Sequence, residues 1–462
     1  MASTQQGQER AKTLSSRGVA GIEFLDASPF GPAGVERWRL ANGLQLLLAP
    51  DPASPVVAVH TWVKVGSADE VAGKTGLAHL LEHAMFKSTT TRPAGTFDRV
   101  LEQHGASANA ATWFDWTMYH EVVPPSQVAT VFELEADRLA HLDLSAHAVR
   151  SELEVVRNER REEVDDDPDS LVVETLWNAA FGKEPYGHPV IGTGADLAGL
   201  QVGDVVDFYR ARYVPENTAV VVAGGFDPTL VLADAAKWYG GLAARPAPKR
   251  SDKPATEKPK SSCSLVVDAG SGRLAVAWRT VPMDHADHPA LALLAEVLAG
   301  SDSSRLYRQM VEQSRVASSV SASQTDLRLG GLLEIYATLR PGKTAAEAEA
   351  LLLPVLADLL GGNPVTQAEL DAARNRLKTQ HLRELASADG RADVLGRTWA
   401  SGLDLGVHQR WWQAIDRATT AEVQSAAGKW LKNDLRTLLR ADPPVRTSRA
   451  RSHPYGQKGR PG

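Results

Sequence analysis

The chain has one cysteine, Cys263, in 462 residues. An intrachain disulfide is therefore impossible, and a metal site would have to be built from imidazole and carboxylate groups. Such thiol poverty fits a reducing compartment. Long apolar runs are also missing. No stretch approaches the roughly 18 uncharged apolar residues that a membrane-crossing helix needs. The opening segment MASTQQGQERAKTLSSRG lacks the apolar core of a secretory signal, so a cytoplasmic location is expected, without a membrane partner and with a transit peptide as the lesser alternative. Nor is positive charge in excess. With 50 Lys and Arg against 56 Asp and Glu, the net charge of −6 favours solubility and gives no reason to expect nucleic-acid binding.

What is present is ordinary globular composition, 43% hydrophobic and 23% charged, in a chain long enough for two or more domains. One composition shift divides it. The segment RPAPKRSDKPATEKPKSS, residues 245–262, carries four prolines and almost no apolar side chains, and reads as an extended linker. On either side lie expected domains at 33–244 and 263–445. A polar lead, 1–32, and a basic tail, 446–462, are expected to be disordered.

The two halves read as distant copies. LQLLLAP and VVAVHTWVKVG precede an apolar helix in the first, and SLVVDAG and RLAVAWRTV precede HPALALLAEVLAG in the second. Aligning LAHLLEHA with LALLAEVL sets His79 against Leu293, Glu82 against Glu296 and His83 against Val297. The pattern predicts an α+β fold of two duplicated domains, each a mostly antiparallel sheet with helices on one face, with any metal site confined to the first copy.

That site would be His79-Leu80-Leu81-Glu82-His83. Residues four apart stack on a helix, so both imidazoles can reach one ion, and Glu82 projects from the same face. Leu77, Ala78, Leu80, Leu81, Ala84, Met85 and Phe86 make the helix apolar and buried, where three ionisable groups need partners. Thr75 is a candidate cap. H-x-x-E-H is a recognised catalytic zinc signature, the reverse of the commoner H-E-x-x-H. Candidates for a third ligand lie in SELEVVRNERREEV: Glu152, Glu154, Glu159, Glu162 and Glu163. Glu152 and Glu159, seven apart, share a helical face, whereas Glu162 and Glu163 read as solvated.

The string GLAHLLEHAMFKST, with the glutamate of VVRNE 76 residues after His83, resembles the pitrilysin or insulinase-type metallopeptidases. The resemblance continues through GASANAATWFDWTMYHEVVP, YGHPVIGT, FYRARYVPENTAVVVAGGF and SSRLYRQM, and so covers most of the chain. It implies one zinc per chain held by His79, His83 and Glu159, with Glu82 as general base and Glu152 supporting the ligands from behind. It also implies that Asn109 and Ala110 pair with the backbone of a peptide substrate, and that the two domains face each other around a chamber. Trp113, Phe114 and Trp116 read as core or interface residues, with chamber lining as the alternative.

The chain departs from the family in its second half. Self-sufficient members carry an Arg and a Tyr seven residues apart, groups suited to stabilising charge on a substrate oxygen. In RLYRQMVEQSRVASSV those positions are Val311 and Ser318, and Arg308 and Arg315 are out of register. The expectation is a zinc endopeptidase acting on short or unfolded peptides, as the HxxEH subunit of a heterodimer whose homologous partner supplies the missing pair. A homodimer is the competing assembly, and a non-catalytic assembly subunit the competing function. His60, His104, His120 and His188 show no metal spacing with another ligand and read as structural, with Tyr186 to Pro189 shaping a loop.

Overall fold

Strand-forming runs rich in Val, Leu and Ala build two related sheets. The structure, a computed structural model, describes residues 2–31, 33–251 and 258–444. The first sheet comprises β1 (Ile22–Ser28), β2 (Val35–Leu40), β3 (Gln45–Pro50), β4 (Val57–Val63), β5 (Ser107–Thr112), β6 (Thr117–Val123) and β7 (Thr218–Gly224), in the order β1-β2-β3-β7-β4-β6-β5. The second comprises β8 (Ser262–Val266), β9 (Arg273–Arg279), β10 (Ala317–Gln324), β11 (Leu332–Leu339) and β12 (Arg436–Asp442), in the order β10-β11-β9-β12-β8. Read from β3 and from β8, the two orders coincide. Each has one parallel pair, β3 with β7 and β8 with β12, and is otherwise antiparallel. The expected duplication is thus present in the topology.

Strand β7, Thr-Ala-Val-Val-Val-Ala-Gly, is buried along its whole length, as is β4. A strand apolar on both sides must be covered on both faces. Leu46, Leu48, Val57, Val59, Val220 and Val222 pack on helices of their own half, including Leu77–Met85 and Val128–His141. The other face, with Leu47, Ala58, Trp62 and Val221, is closed by helix Ala388–Ala400 of the second half, through Ala392, Leu395 and Trp399. The exchange is reciprocal. Helix Pro168–Phe181 lays Val172, Leu176 and Trp177 on Ala275, Ala277, Leu439 and Ala441 of the second sheet. Each sheet therefore carries its own helices on one face, as expected, and takes a helix from the other half on the second.

The expected disorder of the 1–32 lead is corrected. Ala2–Ser16 is a helix and β1 an edge strand, held by Leu14, which is 1% exposed, and by Arg10 bonded to Glu36 and Thr229. The helix escapes sequence reading because it is polar apart from a few small residues and Leu14. The 245–262 linker is also no free spacer. Arg250 donates to Asp69 (2.9 Å), to the Asp115 carbonyl (2.8 Å) and to the Ala400 carbonyl (3.2 Å), tying both halves together. The expected basic tail lies outside the described residues. Among the described residues, no helix is long and apolar enough to cross a membrane.

The exchange depends on one close approach. A Cβ at Gly396 would lie 2.0 Å from Cε2 of Trp62, a fully buried ring. In an exposed helix Gly→Ala stabilises by about 1 kcal/mol. Here Gly396→Ala is expected to destabilise by about 1–3 kcal/mol through overpacking, read as a lower thermal midpoint. A higher midpoint would mean that this helix does not dock on Trp62 in solution.

Candidate metal centre

The Leu77–Met85 helix starts at Gly76, whose φ of 94° and ψ of 3° lie in the left-handed region. A side chain there would also meet the Ile191 carbonyl at 2.6 Å. Glu70, fully buried, accepts from the N–H groups of Gly76 (2.9 Å) and Ala78 (2.8 Å) and satisfies the helix start. Burial pushes the Glu70 carboxyl up to about 8 against the pull of these bonds. Thr75 is not the cap. Its hydroxyl donates to Asp196 at 2.6 Å and accepts from the Thr193 N–H at 3.0 Å, tying the helix entrance to a distant loop.

Leu77, Ala78, Leu80, Leu81, Ala84 and Met85 are buried, which leaves His79, Glu82 and His83 on the remaining face. Opposite them runs helix Ala146–Arg160, capped by Ser145 and buried through Val149, Leu153 and Val156. Its Glu159 enters between the imidazoles. Oε1 lies 3.4 Å from His79 Nε2, and Oε2 lies 3.1 Å from His83 Nε2. The two rings stand 4.7 Å apart. One ligand atom from each of His79, His83 and Glu159 lies within 4.8 Å of the others.

These separations suit a single zinc ion. Tetrahedral bonds of about 2.1 Å put ligand atoms about 3.4 Å apart. His79 Nδ1 is buried without a partner, so the ring's available interaction is through Nε2, toward Glu159. Burial works against charge on Glu159, but the hydrogen bonds from His79 and His83 hold its carboxyl at about 2. The same carboxylate raises the His83 pKa.

Glu82 is held in place. The Thr112 hydroxyl, on β5, donates to its Oε2 at 2.6 Å. Thr112 is a positioning residue that sequence reading missed, since nothing local links it to Glu82. Glu152, 4% exposed, meets Lys87 at 3.3 Å behind the ligands and does not join them. Glu154 pairs with Arg157 on the surface, and Glu162 and Glu163 are solvent-exposed in a π-helical turn at 161–165. Asn109 and Ala110 lie on β5, which pairs only with β6 among the described strands and is the sheet's edge. Phe114 is core, stacked on Trp177 at 4.7 Å, Trp116 packs edge-on against Trp62, and Trp113 is exposed. Tyr186 bonds Asp115 at 3.0 Å and shapes its loop, as expected. Val311 is buried in the second half's core, and Ser318 is exposed on β10, where its hydroxyl donates to the Thr338 carbonyl at 3.1 Å.

Residues 45–194 match the family model described as insulinase (peptidase family M16), and residues 199–377 match the peptidase M16 inactive domain. An uncharacterized zinc protease of Mycobacterium leprae is 30% identical over 408 residues, 86% of this chain and 90% of the relative. A probable mitochondrial-processing peptidase subunit beta of Schizosaccharomyces pombe is 26% identical, covering 78% of this chain and 81% of its own. The crystal structure of a protease from Helicobacter pylori superposes with a TM-score of 0.83 at 26% identity, over 88% of this chain and 99% of that one. The chain belongs to the M16 family of insulinase-type peptidases.

Proposed function

We propose that the chain is a zinc-dependent endopeptidase acting on extended peptides, and the zinc-bearing subunit of a split active site. The observation that carries this reading is the meeting of His79, His83 and Glu159 at one point, beside Glu82 and the open edge of β5. Zinc held there would supply Lewis acidity, lowering the pKa of water to about 7 and polarising a carbonyl. Glu82, oriented by Thr112, accepts the proton of the attacking water and returns it to the leaving amine. Glu152 anchors Lys87 beneath the ligand helices.

Strand β5 supplies the substrate platform. Its outer edge is free among the described residues, so a peptide adding there as a further strand gains backbone hydrogen bonds regardless of sequence, with Asn109 and Ala110 alongside. An extended backbone favours short or unfolded peptides over folded proteins. A chamber between the halves belongs to the same reading.

Val311 and Ser318 leave the substrate oxygen without the Arg and Tyr donors of self-sufficient relatives, which favours a homologous partner lacking HxxEH. The test is cleavage of an unstructured peptide mixture by the zinc-loaded chain, alone and with that partner. Activity is expected only in the mixture, and Glu82→Gln is expected to remove at least about 100-fold of it. Equal activity of the chain alone would overturn the split site. Silence in both, with zinc bound, would sink the peptidase reading.

Glu70→Ala strips two N–H groups at the start of the ligand helix of their acceptor. It is expected to cost about 1–2 kcal/mol of stability and to weaken zinc retention against a chelator; unchanged retention would show that the helix start does not position the ligands.

The ligands also set a pH dependence. In the zinc-free chain Glu159, held low, contributes stability that is present above about pH 4.3 and lost as pH falls toward about 2. His83, held high, contributes stability that is present below about pH 6.5 and lost as pH rises through its raised value. Zinc must displace the His83 proton, so the gain in thermal midpoint on zinc loading is expected to grow from about pH 6 to about pH 8. A constant gain would remove these imidazoles from the metal site.

A further inference from the structure

Strand β4 sets His60 directly opposite His120 of β6. Both rings lie on the sheet face that also carries Trp62 and Met118, the face closed by helix Ala388–Ala400 of the second half. Asp389, in the first turn of that helix, reaches down between them. Its Oδ1 lies 2.9 Å from His60 Nε2 and 3.0 Å from His120 Nδ1. The ring centroids are 5.3 Å apart. One ligand atom from each of the three residues lies within 4.8 Å of the others, the same criterion met by His79, His83 and Glu159.

The donor set repeats the first centre: two imidazoles from one body, and a carboxylate delivered by a helix packed against it. In both centres one ring is anchored in the core with its second nitrogen unpartnered, His79 Nδ1 there and His60 Nδ1 here. The site is reachable from solvent, because the side chains of His120 and Asp389 are 22% and 44% exposed. That opening leaves room for water as a fourth ligand.

We propose that His60, His120 and Asp389 form a second zinc site, which clamps the two halves of the chain together. It stands apart from the peptidase reading and replaces the expected one zinc per chain with two. Its position has a consequence for the first centre. His120 is the cross-strand partner of Asn109 on β5, so the clamp braces the strand next to the open edge.

The test is zinc content of the untagged full-length chain after exhaustive dialysis, measured by elemental analysis with Co²⁺ substitution in parallel. The wild-type chain is expected to hold two equivalents. The His79→Ala/His83→Ala variant is expected to keep one, with Co²⁺ still giving an absorption spectrum of nitrogen and oxygen ligands. Adding Asp389→Ala is expected to remove the last equivalent. A metal-free His79→Ala/His83→Ala chain that is folded by circular dichroism would overturn the proposal, leaving two imidazole N–H groups sharing a carboxylate oxygen. If either variant fails to fold, the wild-type count decides: two equivalents support the site, and one refutes it.

Discussion

Strands β4 and β7 are buried on both faces, and the rest of the architecture follows from having to cover them twice. Each fully buried Val or Leu contributes about 1.5–3 kcal/mol, so neither face can be left wet. One face takes helices of its own half, among them the two that bring His79, His83 and Glu159 together. The other takes a helix from the opposite half, and in return Pro168–Phe181 closes the second sheet. The halves are thus joined by two exchanged elements, with Arg250 of the connecting segment bonded to both. Such an interface resembles a domain core cut in two more than a hinge between independent bodies.

Duplication explains how the same helix pair can serve two ends. In the first half, helices Leu77–Met85 and Ala146–Arg160 meet through imidazoles and a carboxylate. In the second, His288–Ala299 and Gln367–Leu385 meet through Glu296 and Arg376, whose Nε donates to Oε2 at 2.7 Å. Leu293 and Val297, aligned with His79 and His83, are almost wholly buried in the core. The first pair gathers two imidazoles and a carboxylate around one point, the donor set of the proposed zinc site. The second is neutralised internally by its arginine. The same helix packing is thus compatible with either set of side chains at the contact.

How far the sequence could be read depended on whether the deciding contact was local. The placing of His79, Glu82 and His83 on one helical face, and the shared face of Glu152 and Glu159, follow from spacing alone. The order of strands and helices disclosed the repeat. By contrast, the second covering layer on β7 was not read from the sequence, because the helix that supplies it lies in the other half of the chain. Thr75 looked like a cap because hydroxyl residues usually are, yet Gly76 takes the left-handed turn and Glu70 supplies the acceptor. The N-terminal helix was missed because a single long apolar side chain, Leu14, secures it. His60 and His120 looked like isolated strand residues because their carboxylate partner lies some 270 to 330 positions away.

The same exchange of helices gives the edge strand β5 its importance. One face of β5 meets the ligand helix, where Thr112 holds Glu82. On the other face Asn109 neighbours His120, which reaches Asp389 of the second half. A peptide added at this edge would lie along a strand already fixed from both sides, so little further ordering would be needed on binding. At the two second-half positions where the proposed reading looks for donors, Val311 is turned into the core and the Ser318 hydroxyl donates to the Thr338 carbonyl. On the split-site reading proposed above, this fixed edge is the part of the site that the chain itself contributes, and the donors for the substrate oxygen come from a homologous chain.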